Sequence, residues 1–289
     1  MADTGVEEKQ ATAAGGRDPY TIAILADVKT GDFENRVMPL MREVLSRQLR
    51  PVLVPATDTS LADIAALVPE LAGAIVLSDG PALDVLSSTL AVVSVRERLV
   101  PDAAFDQLIL DTEAVGFRVA EYIASAGRTS VALVGPQGPE TPLAQGFAKG
   151  VDTYDLMLPR DFVISCPPVS EAAVATFRAF LRAASAFPQV IYCTDPAVAC
   201  GVYEALSTEG FEIPNDLWVL SHGETVMTLS PFYDVTSVAA APGAICTAAL
   251  DLLCLRLKDM DGERIIRHIG LNIVARSTTE HFYMTKAVP

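Results

Sequence analysis

Short runs of Val, Ile, Leu and Ala, unbroken by polar residues, recur along this chain with room for a helix between successive runs. A strand with one wet face alternates apolar and polar residues. An unbroken apolar run means that both faces are covered, as in parallel sheets flanked by helices. The pattern predicts strands over 21–26, 52–55, 73–77, 92–95, 108–110, 130–135, 162–165, 190–193, 217–221, 236–239 and 271–275. Helices are predicted over 111–126, 170–186, 196–209 and 242–259. The first carries Val115, Val119, Ala120 and Ile123 on one face and stops at Gly127. Ser170 is expected to cap the second, and the third has Pro196 near its start and Gly210 past its end. Strands alternating with helices of this length form right-handed βαβ units, so the fold class is α/β.

Eleven strands are too many for one ordinary twisted sheet, which predicts two lobes joined by several short crossovers. The expected division is a tail over 1–19, a first lobe from 20–127 plus 240–264, a second from 128–239 plus 265–283, and a tail over 284–289. The first tail is polar, small and Gly-containing, a composition that does not build a core.

Charge then narrows the function. Lys and Arg number 21 against 36 Asp and Glu, a formal net charge of −15. A surface gripping a nucleic acid duplex needs clustered cations, so this chain by itself is not expected to bind DNA. Docking on an anionic membrane is disfavoured for the same reason, and no apolar run reaches the length of a membrane span. Five cysteines in apolar surroundings, without C-x-x-C spacing, read as reduced core thiols of a cytoplasmic protein. The N-terminus shows no cationic start followed by an apolar stretch, so no secretory leader is read there.

Motifs for common chemistries are missing. There is no P-loop, G-x-S-x-G elbow or H-E-x-x-H, and Gly135-Pro136-Gln137-Gly138 lacks the third glycine of a dinucleotide turn. The three histidines, His222, His268 and His281, are far apart in sequence. No cofactor and no metal are expected, and a binder is expected rather than an enzyme.

Several segments, taken in order, resemble the ligand-sensing core of the LacI/GalR family. Asp111–Val131 (DTEAVGFRVAEYIASAGRTSV) is similar to that family's helix closing on Gly, a basic residue, and the strand opening the second lobe. Val131–Gly150 resembles its strand, loop and helix with a Gly-aromatic pair, here Gly146–Phe147. Val190–Thr225 matches a strand, an Asn/Thr-Asp turn, a helix, Ile-Pro-x-Asp and a further strand. TSVAAAP at 236–242 and ARSTT at 275–279 resemble the closing segments. The resemblance covers roughly residues 20–282.

It implies the type I periplasmic-binding-protein fold of two Rossmann-like lobes, a small-molecule effector, sugar-like or another polar metabolite, between them, and a homodimer. It also implies a helix-turn-helix head of about sixty residues, which does not stand between Met1 and the first core strand. DNA would then be read only if a head were supplied. Many sugar-sensing members place an Arg three residues before the Gly of the pair, where this chain has Leu143. The family's Asp after the 217–221 strand is matched by Gly223, with Glu224 beside it, and its Asn before Asp195 is Thr194. Those departures point to a guest less hydroxylated than a hexose, or to none.

In α/β sheets ligands bind beyond the carboxyl ends of the parallel strands, and two facing lobes would place those ends along one cleft. The candidates from the first lobe are Asp27, Asp32, Phe33, Asp79 and Arg96, with Ser78 beside them. From the second they are Gln137, Glu140, Thr141, Thr194, Asp195, His222 and Glu224. Each has a structural alternative. Asp195, Asp111 and Asp32 can cap helices, Phe33 can be core, Arg96 can pair with a nearby acid, and His222 can be a hydrogen-bonded loop residue. The leading expectation is the effector-binding and dimerisation module of a transcription regulator. A solute-binding protein is the alternative, and an enzyme on the same scaffold ranks third.

Overall fold

The computed structural model describes residues 21–26, 36–55, 66, 71–77, 87, 89–136, 141–241 and 243–279. These fall into two compact units. One holds the described residues up to Leu108 together with Cys246–Arg267, and the other holds Ile109–Ile245 together with His268–Thr279. Among the described residues there are two six-stranded, mostly parallel sheets and six α-helices.

The first unit contains β1 (Thr21–Ala26), α1 (Met38–Ser46), β2 (Arg50–Pro55), β3 (Gly73–Val76), β4 (Ala91–Arg96), most of β5 (Asp106–Leu110), most of α6 (Ala244–Lys258) and the start of β11 (Ile266–Ile269). Its sheet runs β11-β5-β4-β3-β1-β2. β1 lies parallel to both neighbours, Ala23 opposite Val52 on one side and Ala74 on the other. Every residue of β1 and β3 is buried, which is why neither shows a polar alternation in sequence. At the C-terminus of α1, Arg47 ties the helix to α6 through Asp251 at 2.6 Å while also holding Glu43 at 3.0 Å.

Deeper in this unit a charged pair is sealed in. Arg256 of α6 and Asp106 of β5 are 3% and 0% exposed and meet through two parallel bonds, Nε–Oδ2 at 2.9 Å and Nη2–Oδ1 at 2.7 Å. The other guanidinium protons go to the carbonyls of Asp259, Gly262 and Glu263, and Asp106 accepts the Ile265 N–H. A buried charge is tolerable only when paired and fully hydrogen-bonded. Here the pair organises the turn that leads from α6 into β11.

The second unit is built from α2 (Thr112–Ser125), β6 (Val131–Gly135), α3 (Pro142–Thr153), β7 (Val163–Ser165), α4 (Ser170–Ala183), β8 (Val190–Cys193), α5 (Pro196–Thr208), β9 (Trp218–His222), β10 (Thr236–Ala239) and β12 (Asn272–Val274). Its sheet runs β12-β10-β9-β8-β6-β7. Val190 and Tyr192 of β8 point into a core with Val115, Ile123 and Phe147 of α2 and α3. Ile191 and Cys193 point the other way, into a core with Phe177, Val198 and Val202 of α4 and α5. With a side-chain period of two and helices on both faces, every residue of β8 has to be apolar.

Helix α2, carried with the first lobe in the sequence reading, packs in this second unit. The contact with α3 is backbone to backbone: a Cβ at Gly146 would lie 1.9 Å from the Glu113 carbonyl oxygen. No side chain fits there.

Three expectations are corrected. Ser170 is the first residue of α4, and the capping residue, Val169, has no side-chain oxygen to offer. The strand over 271–275 is not parallel: β12 pairs antiparallel with β10, Val274 opposite Ser237. It is an edge strand whose residues alternate exposed and half-buried, as a half-covered strand should. β11 was not expected at all, because Ile-Arg-His-Ile also alternates at an edge and leaves no apolar run to find. Asp32, read as a possible helix cap, lies outside the described residues, and α1 is described from Met38.

Candidate functional site

The carboxyl ends of β6, β8 and β9 form one edge of the second unit's sheet. Four of the sequence candidates stand there. Cys193 of β8 is in register with Ser221 of β9, so Thr194 and His222 are each one step beyond, at the tips of adjacent strands. Asp195 and Glu224 follow immediately in the chain.

Thr194 is 5% exposed, and its hydroxyl oxygen is buried without a hydrogen-bond partner. Its backbone is fixed by a bond from Thr194 N–H to Val134 O at 2.8 Å. Gly135 at the tip of β6 makes this possible, since a Cβ there would lie 1.8 Å from Thr194 Oγ1. A buried, unsatisfied hydroxyl costs about 1–3 kcal/mol, so its presence in this structure calls for an explanation.

His222 is held from below. Its Nδ1 is 3.1 Å from the hydroxyl of Tyr192, which is fully buried on β8. Pinning one ring nitrogen fixes the plane of the imidazole and orients the other nitrogen. Asp195 is a helix cap: its carboxylate accepts the N–H groups of Ala197 at 2.8 Å and Val198 at 3.3 Å at the start of α5. Thr141 is a cap as well, accepting the Ala144 N–H at 3.2 Å at the start of α3.

Glu224 is neutralised. Arg276 donates to it from Nη2 at 2.5 Å, and the Ser237 hydroxyl donates to the same oxygen, also at 2.5 Å. Arg276 further donates to Ser237 Oγ at 2.6 Å and Val235 O at 2.9 Å. The ion pair, with only about a fifth of either side chain exposed, fastens the loop after β9 to the strand that follows it.

Arg96 ends β4 in the first unit, where it donates to Ser94 Oγ at 2.6 Å and lies 5.5 Å from the centre of the Phe105 ring. Asp27, Asp32, Phe33, Ser78, Asp79, Gln137 and Glu140 lie outside the described residues. Sequence reasoning missed Tyr192, Ser237 and Arg276. Tyr192 is hidden inside an apolar run, and Ser237 inside a buried strand. Arg276 is the basic residue of the ARSTT segment.

The thiols near this edge are inert. Burial raises the Cys193 thiol well above the ordinary range, with the Asp195 carboxylate adding to the shift, and burial pushes Cys200 up to about 11. A protonated buried thiol is neither nucleophile nor metal ligand at neutral pH. Among the described residues no group of three His, Cys, Asp or Glu side chains could hold a metal ion. No described helix is long and apolar enough to cross a membrane. What this edge offers is therefore hydrogen bonding: a hydroxyl, an oriented imidazole, and a carboxylate already matched by its own arginine. At the opposite end of the sheet, a groove of about 390 Å³ is lined by Phe187, Phe211, Glu209 and Asp216 among others. There Glu209 faces Arg178, and Asp216 accepts the Glu212 N–H.

Comparison with known proteins agrees with this architecture. Over 180 residues the chain is 23% identical to the HTH-type transcriptional repressor PurR of Vibrio cholerae serotype O1 (strain M66-2), covering 61% of this chain and 53% of that protein. The chain thus spans about half the length of the curated relatives it matches. A LacI-family regulatory protein from Chloroflexus aggregans superimposes with a TM-score of 0.77 at 18% identity, covering 91% of this chain and 99% of that one. A LacI-family regulator from Arthrobacter sp. FB24 in complex with lactose gives 0.76 at 18% identity, covering 90% and 98%. The sequence model of the periplasmic binding protein-like domain matches residues 120–279, more than half of the chain, and the protein belongs to that family.

Proposed function

We propose that this chain is the effector-binding unit of a LacI/GalR-like transcription regulator of the cytoplasm. It holds a small polar molecule reversibly at the carboxyl-end edge of β6, β8 and β9, and it works as a homodimer. The observation that carries the reading is the unpartnered Thr194 hydroxyl, one strand away from an imidazole that Tyr192 holds in a fixed plane. A change of Thr194 χ1 between staggered rotamers turns that hydroxyl outward, where a guest satisfies it. The relatives support the regulatory setting: the curated ones are PurR repressors, and a solved neighbour carries lactose.

The edge suits a neutral guest. Glu224 is matched by Arg276, and the Asp195 carboxylate is engaged by the amides at the start of α5, so neither acid stands without partners at this edge. Leu143, standing where many sugar sensors have an arginine, is buried in the core at the start of α3 and offers no hydrogen bond. Binding shifts whichever conformational equilibrium the guest discriminates, and a two-fold pair passes that bias to the part that reads DNA. With a net charge of −15, DNA contact belongs to another segment or subunit.

Thermal-shift screening against sugars, nucleosides and amino-acid derivatives, followed by calorimetry on each hit, tests the reading. Saturable binding without turnover, weakened by Thr194→Val and His222→Ala, is expected. A panel with no hit, or a hit consumed in a reaction that His222→Ala abolishes, contradicts it.

A further inference from the structure

Gln189 and Leu217 directly precede β8 and β9, and the groove of about 390 Å³ that they line opens at the amino ends of those strands. Its volume falls within the roughly 300–1,000 Å³ of small-molecule sites. Thr194 and His222 stand beyond the other ends of the same two strands.

The aromatic wall of the groove is held in place. Helix α5 ends in a Schellman motif: Gly210 turns left-handed at φ 86°, its N–H reaches Ser207 O at 3.3 Å, and the Phe211 N–H reaches Leu206 O at 3.0 Å. That motif sets the position of Phe211. Phe187 meets it edge to face, with ring centres 5.4 Å apart and planes at 80°. Phe187 nonetheless stays 46% exposed, so the pair offers aromatic surface to a guest rather than closing over itself.

Three sources of negative potential converge on this wall. The faces of aromatic rings carry the negative part of their quadrupole. The carbonyl end of α5 carries the negative end of the helix dipole, and its last turn has no basic residue to offset it. Glu209, the capping residue at that end, and Asp216 add carboxylates. An anion at a helix C-terminus is unfavourable, so Glu209 stands where the helix itself favours a cation. Its ion-pair partner Arg178 comes only to 3.8 Å, beyond hydrogen-bonding distance, and Arg178 Nε is buried without a hydrogen bond. Asp216 commits Oδ2 to the Glu212 N–H at 2.7 Å. Glu212, which accepts from Asn215 at 3.3 Å, brings a further carboxylate to the same turn.

We infer that this groove is a second ligand site, for a small organic cation: an ammonium or guanidinium group on an apolar body. The body lies against Phe187 and Phe211, while the cation is held by a ring face and by the carboxylates of Glu209 and Asp216. An anion is repelled by those carboxylates, and a neutral body forgoes the charge. The guest differs in charge from the neutral one proposed for the carboxyl-end edge, so the two sites select different molecules.

The test is ligand-observed NMR on the full chain at pH 7. It titrates 2-phenylethylamine, protonated at that pH, against its neutral and anionic counterparts, 2-phenylethanol and phenylacetate. Wild type, Phe187→Ala, Glu209→Gln and Thr194→Val are compared, with melting temperatures measured alongside. Phe187 is half-exposed and the Glu209 side chain 39% exposed, so both groove variants are expected to melt within a few degrees of wild type. Should Phe187→Ala melt early, Glu209→Gln alone decides.

The expected result is saturable binding of the amine with a dissociation constant of about 1 mM or tighter, the affinity that about nine non-hydrogen atoms reach in a fitting site. The alcohol and the acid should bind about threefold or more weakly. Phe187→Ala and Glu209→Gln should each weaken the amine by a similar factor, and Thr194→Val should leave it unchanged. Alcohol bound as well as amine, groove variants that bind like wild type, or no saturation up to about 10 mM overturns the site. Amine binding lost in Thr194→Val but kept in both groove variants moves the guest to the carboxyl-end edge and overturns the groove alone.

Discussion

Replacing Arg256 by Met is the sharpest perturbation available in the first unit. The substitution keeps the volume of the stem but removes both bonds to Asp106 and the bonds to the carbonyls of Asp259, Gly262 and Glu263. Asp106, fully buried, is left with the Ile265 N–H as its remaining partner among the bonds described above. Breaking a buried pair by deleting one partner costs about 3–5 kcal/mol, because the other charge stays buried. Native domains have only about 5–15 kcal/mol in hand, so the loss is a large fraction of the total. It corresponds to a fall in melting temperature of about 10 °C for a domain of this size.

Urea denaturation of wild type and Arg256→Met measures the loss. A loss under about 1 kcal/mol refutes the reasoning. Arg256→Met combined with Asp106→Leu should recover part of the loss, because no stranded charge remains.

Three further outcomes follow from the same packing. Thr194→Val removes a buried hydroxyl that has no partner, so the free protein should be unchanged or stabilised by up to about 1 kcal/mol in chemical denaturation even though ligand binding weakens. Gly146→Ala forces a methyl against the Glu113 carbonyl and should destabilise by about 1–3 kcal/mol through displacement of α3 from α2. Burial pushes the Cys200 and Cys246 thiols from 9.0 up to about 11. A raised folded pKa means that stability is present below pH 9 and lost as pH climbs toward 11. The melting midpoint should therefore fall over that window, and the fall should be smaller in a variant with Cys200→Ala and Cys246→Ala.

What the sequence discloses follows burial. β1 and β8 occupy the stretches read from the apolar runs alone, because strands covered on both faces cannot hide their pattern. β11 stayed hidden because an edge strand needs apolar residues on one face only, and four residues are too few to show alternation. The rule that ligands gather at strand carboxyl ends singled out Thr194, Asp195, His222 and Glu224, and the structure places them at that edge. It did not reveal their bonding partners. The cap made by Asp195 was one of two open readings, and local spacing could not decide between them. The arginine that meets Glu224 stands 52 residues later in the chain, and no local pattern announces a pairing at that separation. Tyr192 is polar only at its tip, and in a run of Val, Ile and Cys it reads as core.

A crystal structure of the protein with the best-binding screening hit tests the central claim most directly. The account predicts ligand density at the carboxyl ends of β8 and β9, with one ligand atom within 3.2 Å of Thr194 Oγ1 and another within 3.2 Å of the His222 imidazole. Density seated elsewhere, for instance in the Phe187–Phe211 groove, with Thr194 still unpartnered, would contradict it.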